Sequence, residues 1–405
     1  MTIGVAGPVN LQILNWDLKI KNLPQTNAFP LTSHFINALL KRGFKVIAYT
    51  NSTEIAEPMV LESGNLKVCI SRQKPQPGRR LFLFEVEDLR KMMVAHPAEF
   101  ISAFWSYEYA WAALKTGKPT AISFHDVAFQ ILLNIPDMFR VVRWLINSIV
   151  VSKAKHLIAN SSYTYNQLAR RTQKKTRIID NFYTSELEES IPEPLIKGNY
   201  ITTAVQGFTH RKNVQNALHA FAQVRARHPE LAYHLIGVDM EEGGLAQQYA
   251  QANGLTEGVR FLGPLPFDEV YQQIVHARVL LHPAREESFG MVPLEAMVGG
   301  TPVIGGSKSG FIPDLLDHGK AGLLCNVESP DDIAAALLRL LEDEQLTAEM
   351  TEKGRAFARA SFSEDVIIDK HLAYYSEIVG RPIQPDNTQY EPEDALHRNT
   401  IHTAK

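Results

Sequence analysis

Short apolar runs alternate with stretches of helical period along nearly the whole chain. In the first half, runs at 3–6, 45–50, 66–70, 120–124 and 156–159 read as strands. Apolar positions recurring every three to four residues read as helices near 31–42, 106–114, 138–150 and up to 171. Repeated strand, helix, strand order means a parallel sheet wrapped by helices. The segment 186–194, acidic, proline-bearing and without period, reads as a linker.

The alternation then restarts. Strands are expected at 200–205, 232–236, 259–262, 279–282, 302–304 and 322–324, and helices at 213–227, 245–253, 267–276 and 331–341. A helix at 364–379 follows, and the last residues are polar and patternless. The expected fold class is therefore α/β, with two Rossmann-like doubly wound parallel-sheet domains facing across a cleft. Their expected bounds are 1–190 and 191–361, followed by a returning helix at 362–380 and a disordered tail at 381–405.

Length agrees, since 405 residues exceed what one hydrophobic core usually supports. Composition is that of a globular protein, with 45% hydrophobic and 21% charged residues. No apolar run is long enough to span a bilayer, and the most apolar one, 141–151, is broken by Arg143 and Asn147. Two cysteines, Cys69 and Cys325, and a start without a basic-then-apolar leader lead to the expectation of a cytoplasmic setting.

The net charge of −3 conceals an asymmetry: residues 1–190 hold 23 Lys/Arg against 15 Asp/Glu, and the remainder 18 against 29. A basic half attracts anionic partners, so peripheral contact with a membrane through the first domain is one expectation, with 138–146, Arg79, Arg80, Lys174, Lys175 and Arg177 as its instruments. The competing expectation is that the apolar face of 138–146 is core. Nucleic acid is not expected as a partner, because no interleaved aromatic signature accompanies the lysines.

The most informative stretch is 282–295, His-Pro-Ala-Arg-Glu-Glu-Ser-Phe-Gly-Met-Val-Pro-Leu-Glu. It follows a buried strand and opens a short helix, with Pro293 expected at a first helical position. Unpaired N–H groups at such a junction, at the positive end of the helix dipole, suit a phosphate. Glu287 before the glycine turn and Glu295 after it bracket that phosphate and accept from neighbouring hydroxyls. No Asp-x-Asp, His-x-x-x-His or paired-Cys motif points to a metal, so neither metal nor cofactor is expected.

These residues resemble a known family. Glu287 and Glu295 match the E-x7-E motif of retaining GT-B glycosyltransferases of family 4, and 279–325 is similar to that family's E-x-F-G-x-x-x-L-E-A-M-x-x-G-T-P-V-I text. Weaker echoes are Phe124-His125-Asp126, residues 158–162, Ile179-Asp180-Asn181 and Arg211-Lys212-Asn213. The resemblance implies a metal-independent hexosyl transfer from a nucleoside-diphosphate-sugar to a glycan, lipid-linked or small-molecule hydroxyl, in glycan, polysaccharide or glycolipid biosynthesis. It implies that Glu295 binds ribose, Glu287 the donor sugar, and that Ser288, Phe289, Gly290 and Met291 face sugar and diphosphate. Lys212 would neutralise the leaving diphosphate, and His125 would face the donor sugar.

Two departures stand against full activity. The family's G-R-x-x-x-x-K places an arginine where this chain has Gly207, and Arg211 is the expected compensating cation. The first loop, usually Gly-Gly, is here Thr26-Asn27-Ala28-Phe29-Pro30. A sugar-nucleotide epimerase and a catalytically silent sugar-nucleotide-binding partner are the alternative readings.

Overall fold

The computed structural model describes residues 1–16, 22–134 and 136–385. The expected tail therefore lies outside the described residues from 386 onward. Two compact units are formed, one by Met1–Thr120 with the chain from Tyr375, the other by Ala121–Tyr374.

The first unit holds strands β1 (Thr2–Ala6), β2 (Lys45–Ser52), β3 (Met59–Ser63), β4 (Leu66–Arg72) and β5 (Phe100–Phe104). Their order is β3-β4-β2-β1-β5, parallel except for β3, which pairs antiparallel with β4. Helices α1 (Pro30–Lys41), α2 (Leu83–Ala95) and α3 (Glu108–Lys115) accompany them. α1 begins with Pro30 in its first turn, where a missing N–H costs nothing. Tyr375 packs in this unit, its ring 4.4 Å from Phe100 and its hydroxyl 2.6 Å from Ser102.

The second unit opens within β6 (Thr120–Phe124) and continues with α4 (Ala128–Asn134), α5 (Met138–Lys153), β7 (His156–Ala159), α6 (Ser162–Asn166), α7 (Arg170–Gln173), β8 (Thr176–Ile178) and α8 (Ser185–Glu189). Strands β6, β7 and β8 pair in parallel in that order. α5 corrects one expectation. Val142, Ile146 and Val150, four residues apart, are core, but Met138, Phe139 and Leu145 are 75%, 43% and 43% exposed. The helix therefore buries one apolar stripe and leaves large apolar side chains exposed beside it. α8 corrects another, because the segment read as a patternless linker holds a helix whose Leu187 is buried.

There follow β9 (Tyr200–Ala204), α9 (Val214–Arg225), β10 (Ala232–Ile236), α10 (Leu245–Ala252), β11 (Val259–Gly263), α11 (Phe267–Val275), β12 (Val279–His282), α12 (Met291–Val298), β13 (Val303–Gly306), α13 (Ile312–Leu315), β14 (Leu323–Cys325), α14 (Pro330–Glu342), α15 (Glu344–Phe362) and α16 (Glu364–Val379). The sheet order β11-β10-β9-β12-β13-β14 is parallel throughout, so β9 and β12 are adjacent although the chain between them forms β10, β11 and three helices. Successive side chains of β12 feed opposite faces. Val279 and Leu281 enter the core under α9, α10 and α14, while Leu280 enters the core under α11, α12 and α15. Both faces are covered, which is why β12 reads as an unbroken apolar run. The architecture is that of two Rossmann-like parallel-sheet domains, as expected.

Candidate functional site

The loop after β12 is set by glycines. Gly290 has φ +100°, a backbone that favours glycine, and a Cβ there would stand 2.8 Å from Ile312 Cδ1, whose side chain would have to shift. Gly310 (φ +64°) lies against the loop from behind, where a Cβ would meet the Glu287 carbonyl at 2.1 Å. The Phe311 N–H donates to the same carbonyl at 3.0 Å. α12 starts at Met291, so Pro293 is its third residue, two later than expected. The placement is tolerated because the first-turn N–H groups have no intrahelical acceptor. Among the described residues, no acceptor is taken by the N–H groups of Ser288, Phe289, Gly290 or Met291. The Phe289 ring itself is core, stacked 5.1 Å from Phe311 and edge-on to Phe362 at 5.6 Å.

Glu287 and Lys212 are in direct contact, with side chains only 14% and 11% exposed. His282 Nε2 lies 3.6 Å from the same Glu287 oxygen, too long for a strong hydrogen bond. Burial pushes the Glu287 carboxyl up, but His282 and the Lys212 ammonium outweigh it and hold it at about 2. The ammonium, in contact, is the stronger partner of the two.

Lys212 is delivered by a turn that Asn213 fixes. Asn213 adopts φ +57°, and its amide donates to Pro283 O at 3.0 Å and Val327 O at 2.8 Å. Arg211 is exposed, donates to Glu286 O at 3.2 Å, and accepts at its own carbonyl from Arg285 N at 2.8 Å. The structure thus brings Lys212, Arg211 and Glu287 together.

Glu295 is 9% exposed on α12, and its carboxylate accepts no hydrogen bond among the described residues. Burial alone raises it to about 7. A largely buried carboxylate without a protein donor is an open acceptor. His125, just after β6, has both ring nitrogens sealed from solvent and sits near Asn181 and His371; burial pulls it down to about 3.

Gly207 has φ +84°, so this backbone disfavours the arginine that the family pattern places there. In the first loop Thr26 donates to Val9 O, Asn27 donates to Gln73 Oε1 at 2.7 Å, and Phe29 stacks 5.1 Å from Trp105. Those side chains have structural partners inside the first unit.

Sequence reasoning missed the residues that hold the loop from outside. Ser161 donates to Ser288 O at 2.5 Å, Tyr163 donates to Glu286 Oε1 at 2.8 Å, and Ser162 bonds Asp314. No periodicity marks three consecutive polar residues as partners of a loop more than a hundred residues later; only the echo at 158–162 drew attention to them. Among the described residues no cluster of three or more His, Cys, Asp or Glu is arranged to hold a metal.

Residues 31–186 match the family model described as Glycosyltransferase Family 4, and residues 187–357 the one described as Glycosyl transferases group 1. The chain is 26% identical over 259 residues to N-acetyl-alpha-D-glucosaminyl L-malate synthase of Bacillus anthracis, covering 63% of this chain and 67% of that protein. It is 36% identical over 186 residues to D-inositol 3-phosphate glycosyltransferase of Corynebacterium jeikeium (strain K411), which spans 44% of each, under half of that relative's length. Among solved structures, sucrose-phosphate synthase from Thermosynechococcus elongatus superposes with TM-score 0.73 at 19% identity, covering 94% of this chain and 99% of that one. Anabaena HepE in complex with UDP and glucose gives 0.68 at 18%, covering 93% and 100%.

Proposed function

The chain belongs to the family 4 type of GT-B glycosyltransferases, and from that premise we propose that it transfers a sugar, with retention, from a nucleoside-diphosphate-sugar to a hydroxyl acceptor. The observation that carries this reading is the contact of Lys212 with Glu287 beside four N–H groups that lack acceptors. The open N–H groups and the helix dipole take the diphosphate, and Lys212 offsets the charge that grows on the leaving oxygen. Glu287 orients Lys212 and accepts from donor-sugar hydroxyls, and Glu295 accepts from the ribose. His125 faces the sugar as a neutral imidazole. The bond from C1 to the leaving oxygen breaks, the acceptor oxygen bonds C1 on the same face, and the departing phosphate takes the acceptor proton.

The test is nucleoside diphosphate release from a panel of UDP-, GDP-, ADP- and dTDP-sugars, with and without acceptors and with a chelator present. Acceptor-dependent release that survives chelation is expected. Binding without release across the panel means a silent partner, and interconversion of the sugar without release means an epimerase.

A second observation bears on where the acceptor is met. Met138, Leu133, Phe129, Phe139 and Leu145, on α4 and α5, are between 43% and 75% exposed. Residues 127–179 hold nine Lys/Arg and one acid, Asp137. Apolar side chains ringed by cations suit the surface of an anionic bilayer, where the protein would lie peripherally on the cytoplasmic face. No described helix is long and apolar enough to cross one. Co-sedimentation with anionic, but not zwitterionic, vesicles at low salt is expected; equal recovery with both removes the membrane reading.

A further inference from the structure

The second unit contains a cavity of about 650 Å³ that lies away from the loop of Glu287. It opens at the amino ends of the strands, next to Lys197 before β9, Arg278 before β12 and Pro302 before β13. The Glu287 loop leaves the carboxyl end of β12. Its far wall is α15, which contributes Arg355 and Arg359.

Four cations and two acids, Glu344 and Glu352, line this space. Most of the positive charge has no carboxylate. Lys197 Nζ donates to Val275 O at 2.7 Å, Thr301 Oγ1 at 2.8 Å and Gly300 O at 3.1 Å, all neutral. Arg278 donates to Leu341 O at 2.9 Å. Arg359 has a carboxylate, Glu188, at 2.6 Å.

Arg355 is the anomaly. Among the described residues it makes no hydrogen bond, its Nε is sealed from solvent, and its guanidinium lies on Gly300, where a Cβ would stand 2.2 Å from it. Glu188 feels its charge, but the Glu188 oxygens are taken by Arg359 and Tyr183. Lys197 has a plain structural role, since a cation at the end of α11 satisfies helix carbonyls. No such role accounts for a planar five-donor fork with nothing to donate to.

We propose that this cavity binds a phosphate-bearing small molecule, with the Arg355 fork as its anchor and Lys197 and Arg278 as flanking charge. A fork and a point charge around mixed apolar walls suit a phosphate carried on a compact organic body. Burial and Arg355 pull the Lys197 ammonium down to about 8, a charge conflict that a bound anion relieves. The site is independent of the donor loop, although Gly300 follows the C-terminal end of α12, which carries Glu295.

The test is calorimetric titration of the full chain, in phosphate-free buffer, with inorganic phosphate, pyrophosphate and a hexose phosphate. Saturable binding of the hexose phosphate is expected, retained in Glu295→Gln and weakened about tenfold or more in Arg355→Gln, with Arg355→Lys in between. Circular dichroism checks that these variants fold. Glu352→Gln, at an exposed rim position, keeps the proposal testable if Arg355 variants do not fold, and is expected to tighten binding severalfold. Absence of saturation at millimolar ligand, affinity indifferent to both Arg355 and Glu352, or loss of binding in Glu295→Gln alone overturns it.

Discussion

The two glutamates of the E-x7-E spacing are chemically unlike, and the difference is environmental. Glu287 is held at about 2 against its burial by His282 and Lys212, so its stabilising effect is complete above about pH 4.5 and is lost as pH falls toward 2. Glu295 is raised to about 7 by burial, so its neutral form favours folding below about 4.5 and that contribution is lost as pH rises to 7. Under the proposed function ribose hydroxyls donate to Glu295, so they bind its ionised form. Donor affinity is therefore expected to rise about tenfold per unit as pH climbs toward 7 and then level off, with the slope absent in Glu295→Gln, as titration calorimetry reads. Glu287→Gln leaves the Lys212 ammonium buried without a counter-charge; a loss of ~3–5 kcal/mol of stability is expected in denaturant unfolding, alongside a fall in turnover of about 10²-fold or more. Gly290→Ala combines strained φ with contact on Ile312 and is expected to cost ~1–3 kcal/mol.

At the scale of elements, legibility followed side-chain size. β12 and α12 were found from the sequence because a fully buried strand and a glycine turn leave plain marks. α15 was not, because the positions it buries are Met350, Gly354, Ala358 and Phe362, a four-residue spacing whose middle members are too small to register as hydrophobic. Its last residue nevertheless matters to the site. Phe362 is buried edge-on against both Phe289 and Phe311, so it backs the loop after β12. Phe362→Ala is expected to cost ~3–5 kcal/mol and to weaken donor binding, seen as a lower melting temperature in parallel with a raised donor KM. β5, missed likewise, is buried on every residue and too short to stand out between α2 and α3. α5 misled in the opposite sense, because a periodic apolar stretch does not say whether anything packs on it.

For the whole molecule the charge asymmetry has a location. Residues 127–179, which carry the exposed apolar side chains of α4 and α5, hold nine Lys/Arg and one acid, so attraction to an anionic surface is expected to be steep in salt and to vanish when Met138 and Leu145 are both changed to Glu, with turnover on a soluble acceptor unchanged. Vesicle co-sedimentation and turnover, measured on the same preparation, check this. The sequence by itself determined the α/β class, the restart of the pattern near 200, and the strand, glycine turn and helix around Glu287 and Glu295, because burial periodicity and φ requirements act locally along the chain. Only the tertiary structure decided that Lys212 meets Glu287, that Glu295 stays unbonded, that Ser161 and Tyr163 brace the loop, and that Met138, Phe139 and Leu145 of α5 stay exposed. Each of these depends on which distant groups share a few ångströms, and neither periodicity nor composition encodes that distance.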